Sequence, residues 1–542
     1  MVRVRERFTL IVFGALILTA TIWARIFQID RQVLLDDEWH AIIKLTTSDY
    51  GAIATSFGIV DHSIPLTLLF KWIASHGWLS EFTMVALPLA CGVALCVIMC
   101  VAMSRVLPTP AFVVFGGLVA ISPLLVLYAR QARPYAITLL FALIALWAAW
   151  RWAERRQLRY GVAYVIAAVF GTWLHVIVAP TLFGVWLYLS AQTLLQDPPR
   201  LRRIVSTVAP GVIALVLAAV LLTPAFVGDW GGLRVKAGAD HVTPESAVRA
   251  LMMWLGTGSV ALASTMAILA IVGAAHFFRN VPRVAGYVTA VLLLQAGAVV
   301  LSGALWISQP MVLARYLLIF LPFVVLAVAA GFGVCLAKLL PGVASLGGGA
   351  AALCFVAVAY ALGPLPGALH YPNAFVTHQM YFADFDPAHN QILPFLKDGP
   401  LPEFYRTLSR RSNGEVTLLE APWRFESMFN RQPVFQEVHR QHVKIGFLGG
   451  VCPPGAYGEH PRLFSHEFRN FVDLAIPDEH VRAAGDFLVI HRHLELANMT
   501  QPWQSYEGKG LPPVDDCIPI FRRRFGDPVF EDDLITVFRL RG

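Results

Sequence analysis

The run Val212-Ile213-Ala214-Leu215-Val216-Leu217-Ala218-Ala219-Val220-Leu221-Leu222 decides the fold class, because it is apolar without a break. A membrane β-strand would alternate apolar and polar residues over about ten positions, so a continuous run indicates a helix. It lies in one of several apolar blocks of about twenty residues, the length that crosses the hydrocarbon core of a bilayer as a helix. The sequence therefore predicts a polytopic α-helical membrane protein.

The composition leads to the same fold class. Only 14% of the 542 residues are charged, and the mean hydropathy is +0.62. A soluble globular chain carries roughly 25% charged residues, so this chain cannot cover a water-facing surface of its size. The net charge of +7 comes from arginines in short loops, so it is a topology signal and indicates no nucleic-acid partner.

About eleven membrane spans are predicted. They lie near residues 8–27, 82–103, 111–128, 135–150, 161–175, 177–195, 204–227, 258–278, 284–306, 317–338 and 348–366. The first block could be a signal peptide, but no small-residue cleavage site follows it, which favours a retained helix. Arg3, Arg5 and Arg7 precede this block, and the positive-inside rule then places the N-terminus inside. An odd number of spans places the chain after Pro366 outside.

Two domains follow from this topology. Residues 1–366 are expected to form the membrane domain, including a long outer loop at 28–81 with amphipathic helices. Residues 367–542 are expected to form a small outer α/β domain with its own core. Short β-type runs recur in that second region, at 415–419, 443–448, 486–490 and 534–540.

The outer domain carries two further candidate features. Cys452 and Cys517 lie where oxidising conditions permit a disulfide, whereas the other five cysteines lie in predicted spans. His491 and His493 share a face if their segment is a strand, but the sequence offers no evident third ligand. No metal site is therefore assigned to them.

An acidic patch, Leu35-Asp36-Asp37-Glu38-Trp39-His40, follows the first span. Adjacent carboxylates resist one another's ionisation, so the pKa of at least one should rise. Such a carboxylate can take a proton from a hydroxyl or ligate a divalent cation. The alternative is a solvated acidic loop.

A second acidic position follows in Asp61-His62-Ser63-Ile64-Pro65-Leu66. Pro65 marks the start of a helical or extended stretch that leads into the next span. Asp61 could instead be an ordinary helix cap.

Arginines occur at outer span ends, against the positive-inside bias. Tyr128-Ala129-Arg130-Gln131-Ala132-Arg133-Pro134-Tyr135 forms a short outer connection, and Arg315-Tyr316 repeats the theme. Charge at this depth is costly, which suggests a bound anion, and the planar guanidinium fork suits phosphate. The alternative for the arginines is snorkelling to lipid headgroups. His175, at the end of the fifth span, is either a cavity residue or a packing residue.

These motifs together resemble the GT-C superfamily of membrane glycosyltransferases. The match is to the bacterial branch related to protein O-mannosyltransferases and the aminoarabinose transferase of lipid A. It covers roughly residues 1–366. The matching elements, in chain order, are Asp37-Glu38, the His-Pro-Pro-Leu-like stretch at 62–66, the Gln-x-Arg-x-Tyr-like loop at 131–135, Thr172 with His175, and Arg315-Tyr316 with Pro322. Ser63-Ile64 and the extra Asp36 depart from the family pattern, so the identity of the base stays open.

The resemblance implies a sugar transfer from a polyprenyl-phosphate donor to an envelope glycan, lipid or protein at the outer membrane face, with inversion. The candidate base is Asp37, assisted by Glu38, Asp36 and Asp61. The implied donor-phosphate ligands are Arg133, Arg130 and Arg315, and the implied cavity residues are His62, Tyr135, His175 and Tyr316. Some relatives use a divalent cation such as Mg²⁺ or Mn²⁺, which stays open here.

Two rival functions use the same residues differently. A transporter or flippase of a lipid-linked or anionic substrate would need the arginines but no base. The sequence shows no paired halves with broken helices, the usual sign of a transporter. A non-catalytic assembly factor would bind a protein through its tail and would not need the loop carboxylates.

Overall fold

The computed structural model describes most of the chain. The described residues are 2–32, 34, 38, 41–42, 44–45, 48–57, 63–195, 201–238, 240–341, 345–370, 400–422, 432–448, 451, 468–475, 477–492 and 514–541. The chain divides into two compact units. Residues 1–27, 48–69 and 85–366 form the membrane unit, and residues 28–47, 70–84 and 367–542 form the α/β unit.

Helices account for almost all of the described residues up to His370. In chain order they are α1 (Val2–Ile26), α2 (Tyr50–Ala54), α3 (Ile64–Ser75), α4 (Glu81–Met103), α5 (Thr109–Ile121), α6 (Pro123–Arg130), α7 (Tyr135–Arg155), α8 (Leu158–Leu174), α9 (Ala179–Leu194), α10 (Leu201–Gly228), α11 (Trp230–Lys236), α12 (Pro244–Leu255), α13 (Val260–Asn280), α14 (Pro282–Ser302), α15 (Pro310–Tyr316), α16 (Phe320–Leu339), α17 (Ser345–Ala361) and α18 (Leu365–His370).

Each predicted span coincides with an apolar helix or a pair of helices. Among the described residues, eight helices are long and apolar enough to cross a membrane, and the bent pair α5–α6 makes a ninth. The two remaining predicted spans fall on α8 and α17, which are apolar and 17 residues long. The chain is therefore a multi-pass helical membrane protein, as the apolar blocks predict.

The third predicted span differs from expectation because it is broken at Ser122. Helices α5 and α6 meet there at 42°. The Ser122 hydroxyl accepts a hydrogen bond from the N–H of Leu125 at 3.4 Å, and Pro123 lies in the first turn of α6. A proline is tolerated at that position because the first N–H groups of a helix have no helical acceptor. Helix α6 then continues to Arg130, so residues 128–130 are helical instead of part of a connection.

Helices α13 and α16 approach each other backbone to backbone. A methyl group placed on Gly273 would overlap the carbonyl oxygen of Ala327, and one placed on Gly331 would overlap that of Leu269. Small residues at such crossings allow close helix packing inside a membrane, where the hydrophobic effect gives helices no reason to associate. Only glycine fits at these two positions.

The α/β unit contains a six-stranded sheet with helices beside it. The strands are β1 (Thr417–Ala421), β2 (His442–Phe447), β3 (Phe471–Asp473), β4 (Phe487–His491), β5 (Phe530–Glu531) and β6 (Ile535–Arg539). The helices are α19 (Glu403–Leu408), α20 (Gln432–His439), α21 (Asp478–Ala484) and α22 (Ile518–Phe525). The strand order is β3-β2-β1-β4-β6-β5. Strand β6 pairs antiparallel with both β4 and β5, and the other neighbouring strands pair in parallel.

Alternate residues of the central strands bury the two faces of this sheet. Leu419 and Leu488 pack with Phe521 of α22 on one face. Leu418 and Val489 pack with Phe435 of α20 on the other. This alternation follows from the two-residue repeat of a strand, and the four β-type runs predicted from the sequence contain or overlap β1, β2, β4 and β6.

Candidate functional site

Several polar residues predicted at outer span ends lie at helix ends in the membrane unit. Tyr135 is the first residue of α7, and Arg133 lies in the bend just before it. Tyr316 ends α15, a seven-residue helix that starts at Pro310. The extended backbone of His175, with φ −158° and ψ 108°, ends α8. Helix ends leave backbone groups without helical partners, so side chains and ligands gather there.

Two guanidinium groups converge on one tyrosine ring. The Cζ atoms of Arg133 and Arg315 lie 5.7 and 5.8 Å from the centre of the Tyr135 ring. Arg315 also lies 5.5 Å from the centre of the Tyr316 ring. A ring within about 6 Å attracts a cation through its quadrupole, so the ring of Tyr135 stabilises both positive charges. Arg133 and Tyr135 are buried, and charge in such surroundings is screened little by solvent.

A row of aromatic rings continues from this ring. The Tyr128 and Tyr135 ring centres are 4.7 Å apart, those of Tyr135 and His175 5.4 Å, and those of His175 and Tyr316 6.3 Å. These separations are typical of packed aromatic pairs. The structure thus brings together five predicted residues, which we call the arginine–aromatic cluster: Arg133, Tyr135, His175, Arg315 and Tyr316.

Gln295 joins the segments that carry this cluster, and it is not among the residues predicted from the sequence. Its Nε2 donates to the carbonyl oxygens of Ile177 at 2.9 Å and Tyr316 at 3.3 Å. Its Oε1 accepts from the backbone N–H and the hydroxyl of Thr181, at 3.1 and 2.9 Å. A glutamine inside the apolar sequence of α14 is a signal that could have identified Gln295, because a polar group in a membrane is costly unless it forms hydrogen bonds. Gln295 is indeed buried.

Ser63 attaches the second predicted acidic segment to the end of α8. Its hydroxyl donates to the carbonyl oxygen of Leu174 at 2.9 Å, and Leu174 immediately precedes His175. The hydrogen bond of Ser63 therefore supplies a fixed point directly after Asp61 and His62 in the sequence.

Arg130 is fully buried and bonds to the end of α1. Its Nη1 donates to the carbonyl oxygens of Phe27 at 2.9 Å and Ala24 at 3.4 Å. Arginine side chains commonly satisfy the last carbonyl groups of a helix in this way. These bonds fix the end of α6 from which the chain turns towards Arg133.

Comparison with known proteins gives two similar solved structures. The crystal structure of ArnT from Cupriavidus metallidurans bound to undecaprenyl phosphate has a TM-score of 0.42 at 12% sequence identity. The crystal structure of the same protein in the apo state has a TM-score of 0.39 at 13% identity. Each similarity covers 98% of this chain and 98% of ArnT. No family model and no curated protein sequence matches the chain.

The predicted carboxylates are described only in part. Asp36, Asp37, Asp61 and His62 lie outside the described residues. Glu38 is described; it belongs to the α/β unit and is 2% exposed. Within the described part of the chain, no three His, Cys, Asp or Glu side chains are grouped to hold a metal ion. The roles of these carboxylates and of the cation stay predictions.

The arginine–aromatic cluster has the chemistry of an anion site. Guanidinium groups donate paired hydrogen bonds to phosphate oxygens, and such charge-assisted bonds are about twice as strong as neutral ones. The aromatic rings beside them provide apolar walls, which favour a ligand that joins an anionic group to a hydrocarbon or a sugar.

A separate buried polar cluster lies in the α/β unit, around Glu420 of β1. Nε2 of His491 lies 3.0 Å from Oε2 of Glu420 and 3.2 Å from the hydroxyl of Tyr405. Nε2 of His439 lies 3.7 Å from Oε1 of Glu420. Burial alone would raise the pKa of Glu420, but His439 and His491 together hold that pKa below its ordinary value of 4.5.

The predicted pair of outer cysteines is described at one end. Cys517 is fully buried and disulfide-bonded, and it precedes α22. Cys452 lies outside the described residues. The five cysteines in the membrane unit are free thiols, and of these Cys96 is buried, whereas Cys354 is exposed.

Proposed function

We propose that the chain is an inverting glycosyltransferase of a bacterial inner membrane. It takes a sugar from a polyprenyl-phosphate donor and passes it to an envelope glycan, lipid or protein acceptor. Transfer takes place at the outer face, and residues 367–542 lie in the periplasm. This orientation rests on the positive-inside rule.

The observation that carries the proposal is the convergence of Arg133 and Arg315 on the ring of Tyr135. A pair of guanidinium groups can bind one anion through paired, charge-assisted hydrogen bonds. A polyprenyl phosphate offers such an anion at headgroup depth, and its tail stays in the bilayer. Arg133 and Arg315 bind its phosphate in this proposal. Arg130, which the sequence also predicts as a phosphate ligand, is bonded to the end of α1 and supports the turn that carries Arg133.

The same arginines promote the chemical step. The bond between the anomeric carbon and the phosphate oxygen breaks, and the leaving group is a phosphate monoester anion. Positive groups already in place stabilise the charge that develops on it, without a need for protonation. His175 and Tyr316 line the space beside the phosphate.

The acceptor hydroxyl attacks the anomeric carbon from the face opposite the phosphate, which inverts its configuration. Asp37 accepts the hydroxyl proton, with Asp36, Glu38 and Asp61 assisting. Ser63 supports this arrangement, since it fixes the chain directly after Asp61 and His62 to the carbonyl group beside His175. If these carboxylates bind a divalent cation, a chelator should lower turnover, and added Mg²⁺ or Mn²⁺ should restore it.

The proposal is tested with purified protein in nanodiscs and a panel of polyprenyl-phosphate sugars, chosen from mass spectrometry of envelope glycans in a deletion strain. Asp37→Asn should lower turnover by about 10²–10⁴-fold if Asp37 is the base. Asp36→Asn is the matched comparison, because it removes a neighbouring charge and leaves Asp37 in place. Near-normal turnover by a folded Asp37→Asn protein would reject the assigned role.

The transporter alternative is tested with the protein in sealed vesicles. Protein that moves a lipid-linked sugar across the vesicle membrane and leaves the sugar linkage intact would replace the enzyme proposal. The assembly-factor alternative predicts full function in the carboxylate variants and loss of function when residues 367–542 are removed.

A further inference from the structure

Arg25 is a charged residue buried inside the membrane unit. It lies one residue before the end of α1, and its side chain is completely buried. An arginine that snorkels to lipid headgroups keeps its charged end exposed, so Arg25 has a different purpose. Its guanidinium donates to four acceptors: the carbonyl oxygens of Thr21, Ala120 and Val119 at 3.0, 3.0 and 3.4 Å, and Sγ of Cys96 at 3.0 Å.

Two of these acceptors are carbonyl groups that the break between α5 and α6 releases. In a continuous helix, the residue at position 123 would donate its N–H to the carbonyl of Val119, but Pro123 has no N–H. The carbonyl of Ala120 lies in the last turn of α5, where helical donors also end. Arg25 donates to both carbonyl groups, so its guanidinium replaces the backbone N–H donors that are missing at the break.

Arg130 makes the reciprocal contact at the other end of α6. It donates to the carbonyl oxygens of Ala24 and Phe27, which flank Arg25 at the end of α1. The end of α1 is therefore bonded to the last turn of α5, just before α6 begins, and to Arg130, the last residue of α6. Every residue of α6 is buried, so this short helix has no freedom to fray towards lipid.

We propose that Arg25 is a positioning residue for the anion site: it holds the bend at Pro123 so that α6 delivers Arg133 to the ring of Tyr135. The inference rests on the proposed function, since it assumes that the arginine–aromatic cluster binds a lipid phosphate. The guanidinium is needed for its shape, because one planar group reaches two carbonyl oxygens together, whereas an ammonium is a point charge.

The test uses full-length protein in nanodiscs, with undecaprenyl phosphate as the probe, and compares Arg25→Met with Arg25→Lys. Arg25→Met should weaken binding of the probe by at least about tenfold and speed amide exchange over residues 124–133, because a shift of about 1 Å in a site costs that much or more. Arg25→Lys should retain part of the binding. Arg105→Met, which alters an exposed arginine on the connection to α5, is the matched control and should change neither measurement.

Pro123→Ala distinguishes positioning from general stability. The substituted alanine has a backbone N–H that can donate to the carbonyl of Val119, which is one of the groups that Arg25 bonds. The effects of Arg25→Met and Pro123→Ala on probe binding should therefore be less than additive. If Arg25→Met fails to fold, the same cycle is run with Arg25→Lys.

Unchanged affinity in a folded Arg25→Met protein, or strict additivity with Pro123→Ala, would overturn the role given to Arg25 and leave the proposed function intact. A wild-type protein that binds no undecaprenyl phosphate would overturn the proposed function and this role with it. Amide exchange would then show separately whether Arg25 supports the bend.

Discussion

Arg315 and Tyr135 meet in the membrane unit, with the guanidinium carbon of Arg315 5.8 Å from the centre of the Tyr135 ring. They come from opposite halves of the chain, and each lies at the end of a helix. Arg133 reaches the same ring from the turn before α7. Both arginines therefore contact the same ring, and substitutions at these three residues test the proposed anion site most directly.

Removing either guanidinium should abolish most of the binding of a lipid phosphate. Arg315→Gln and Arg133→Gln should each weaken undecaprenyl phosphate binding by about ten- to a hundredfold, because hydrogen bonds to charged groups contribute about 1.5–3 kcal/mol. Arg151→Gln is the matched control: it alters an arginine at the other end of α7, where it pairs with Glu154. Wild-type affinity in both cluster variants would contradict the anion site.

Tyr135 should act through its ring rather than its hydroxyl. Tyr135→Phe keeps an aromatic face beside both guanidinium groups and should bind the probe nearly as well as wild type. Tyr135→Leu removes the quadrupole, a contribution of about 0.5–2 kcal/mol, and should bind the probe about twofold to thirtyfold less tightly. Equal binding by the two variants would show that the ring does not support the arginines.

Gln295 should hold the His175 segment to the end of α15. Gln295→Leu leaves the Thr181 N–H and hydroxyl and the Ile177 and Tyr316 carbonyls without this partner, and should cost about 1–3 kcal/mol of stability. Gln295→Glu keeps the acceptor for Thr181 but removes both donors. We expect both variants to lower the thermal unfolding midpoint and to weaken undecaprenyl phosphate binding. A normal midpoint with normal binding would remove Gln295 from the site's support.

The α/β unit should lose stability in acid because of Glu420. Its pKa is held below 4.5 in the folded chain, so it favours folding above that pH. This contribution is lost as the pH falls through the lowered pKa. Between about pH 5 and pH 3 the unfolding midpoint of wild type should therefore fall more steeply than that of Glu420→Gln.

Glu403→Gln is the control for this pH series, because Glu403 is exposed and pairs only at the surface with Arg406. It should follow the wild-type profile, since exposed ion pairs contribute little. A Glu420→Gln profile parallel to wild type would mean that the two histidines do not stabilise the charged carboxylate. The midpoint is followed by near-ultraviolet circular dichroism of the full-length protein.

The spans could be predicted because each is a long apolar block, and the four longest strands could be predicted because their β-type runs are distinct. The short strands β3 and β5 have three and two residues, too few for any pattern. Pro123 was visible in the sequence, but the bend depends on what satisfies the carbonyl groups that the proline releases. That partner, Arg25, lies 95 positions from Ala120, and no local signal joins them.

The site was predictable in its residue types and only partly in its arrangement. Arginines and aromatic residues at outer span ends are unusual enough to be noticed one by one. Their convergence on Tyr135 depends on how α7, α8 and α15 pack, which span positions alone do not determine. Arg25 and Gln295 are each a polar residue inside an apolar span. This could have marked them in the sequence, because burying such a residue in a membrane is costly.

The glycine crossing of α13 and α16 limits how these two helices can move relative to each other. Helices in backbone contact cannot slip by a fraction of a turn, because each carbonyl would strike the opposite chain. Helix α16 begins four residues after Tyr316, so Arg315 lies close in the chain to this tightly packed crossing. A larger residue at Gly273 or Gly331 should therefore displace the helix that follows Arg315.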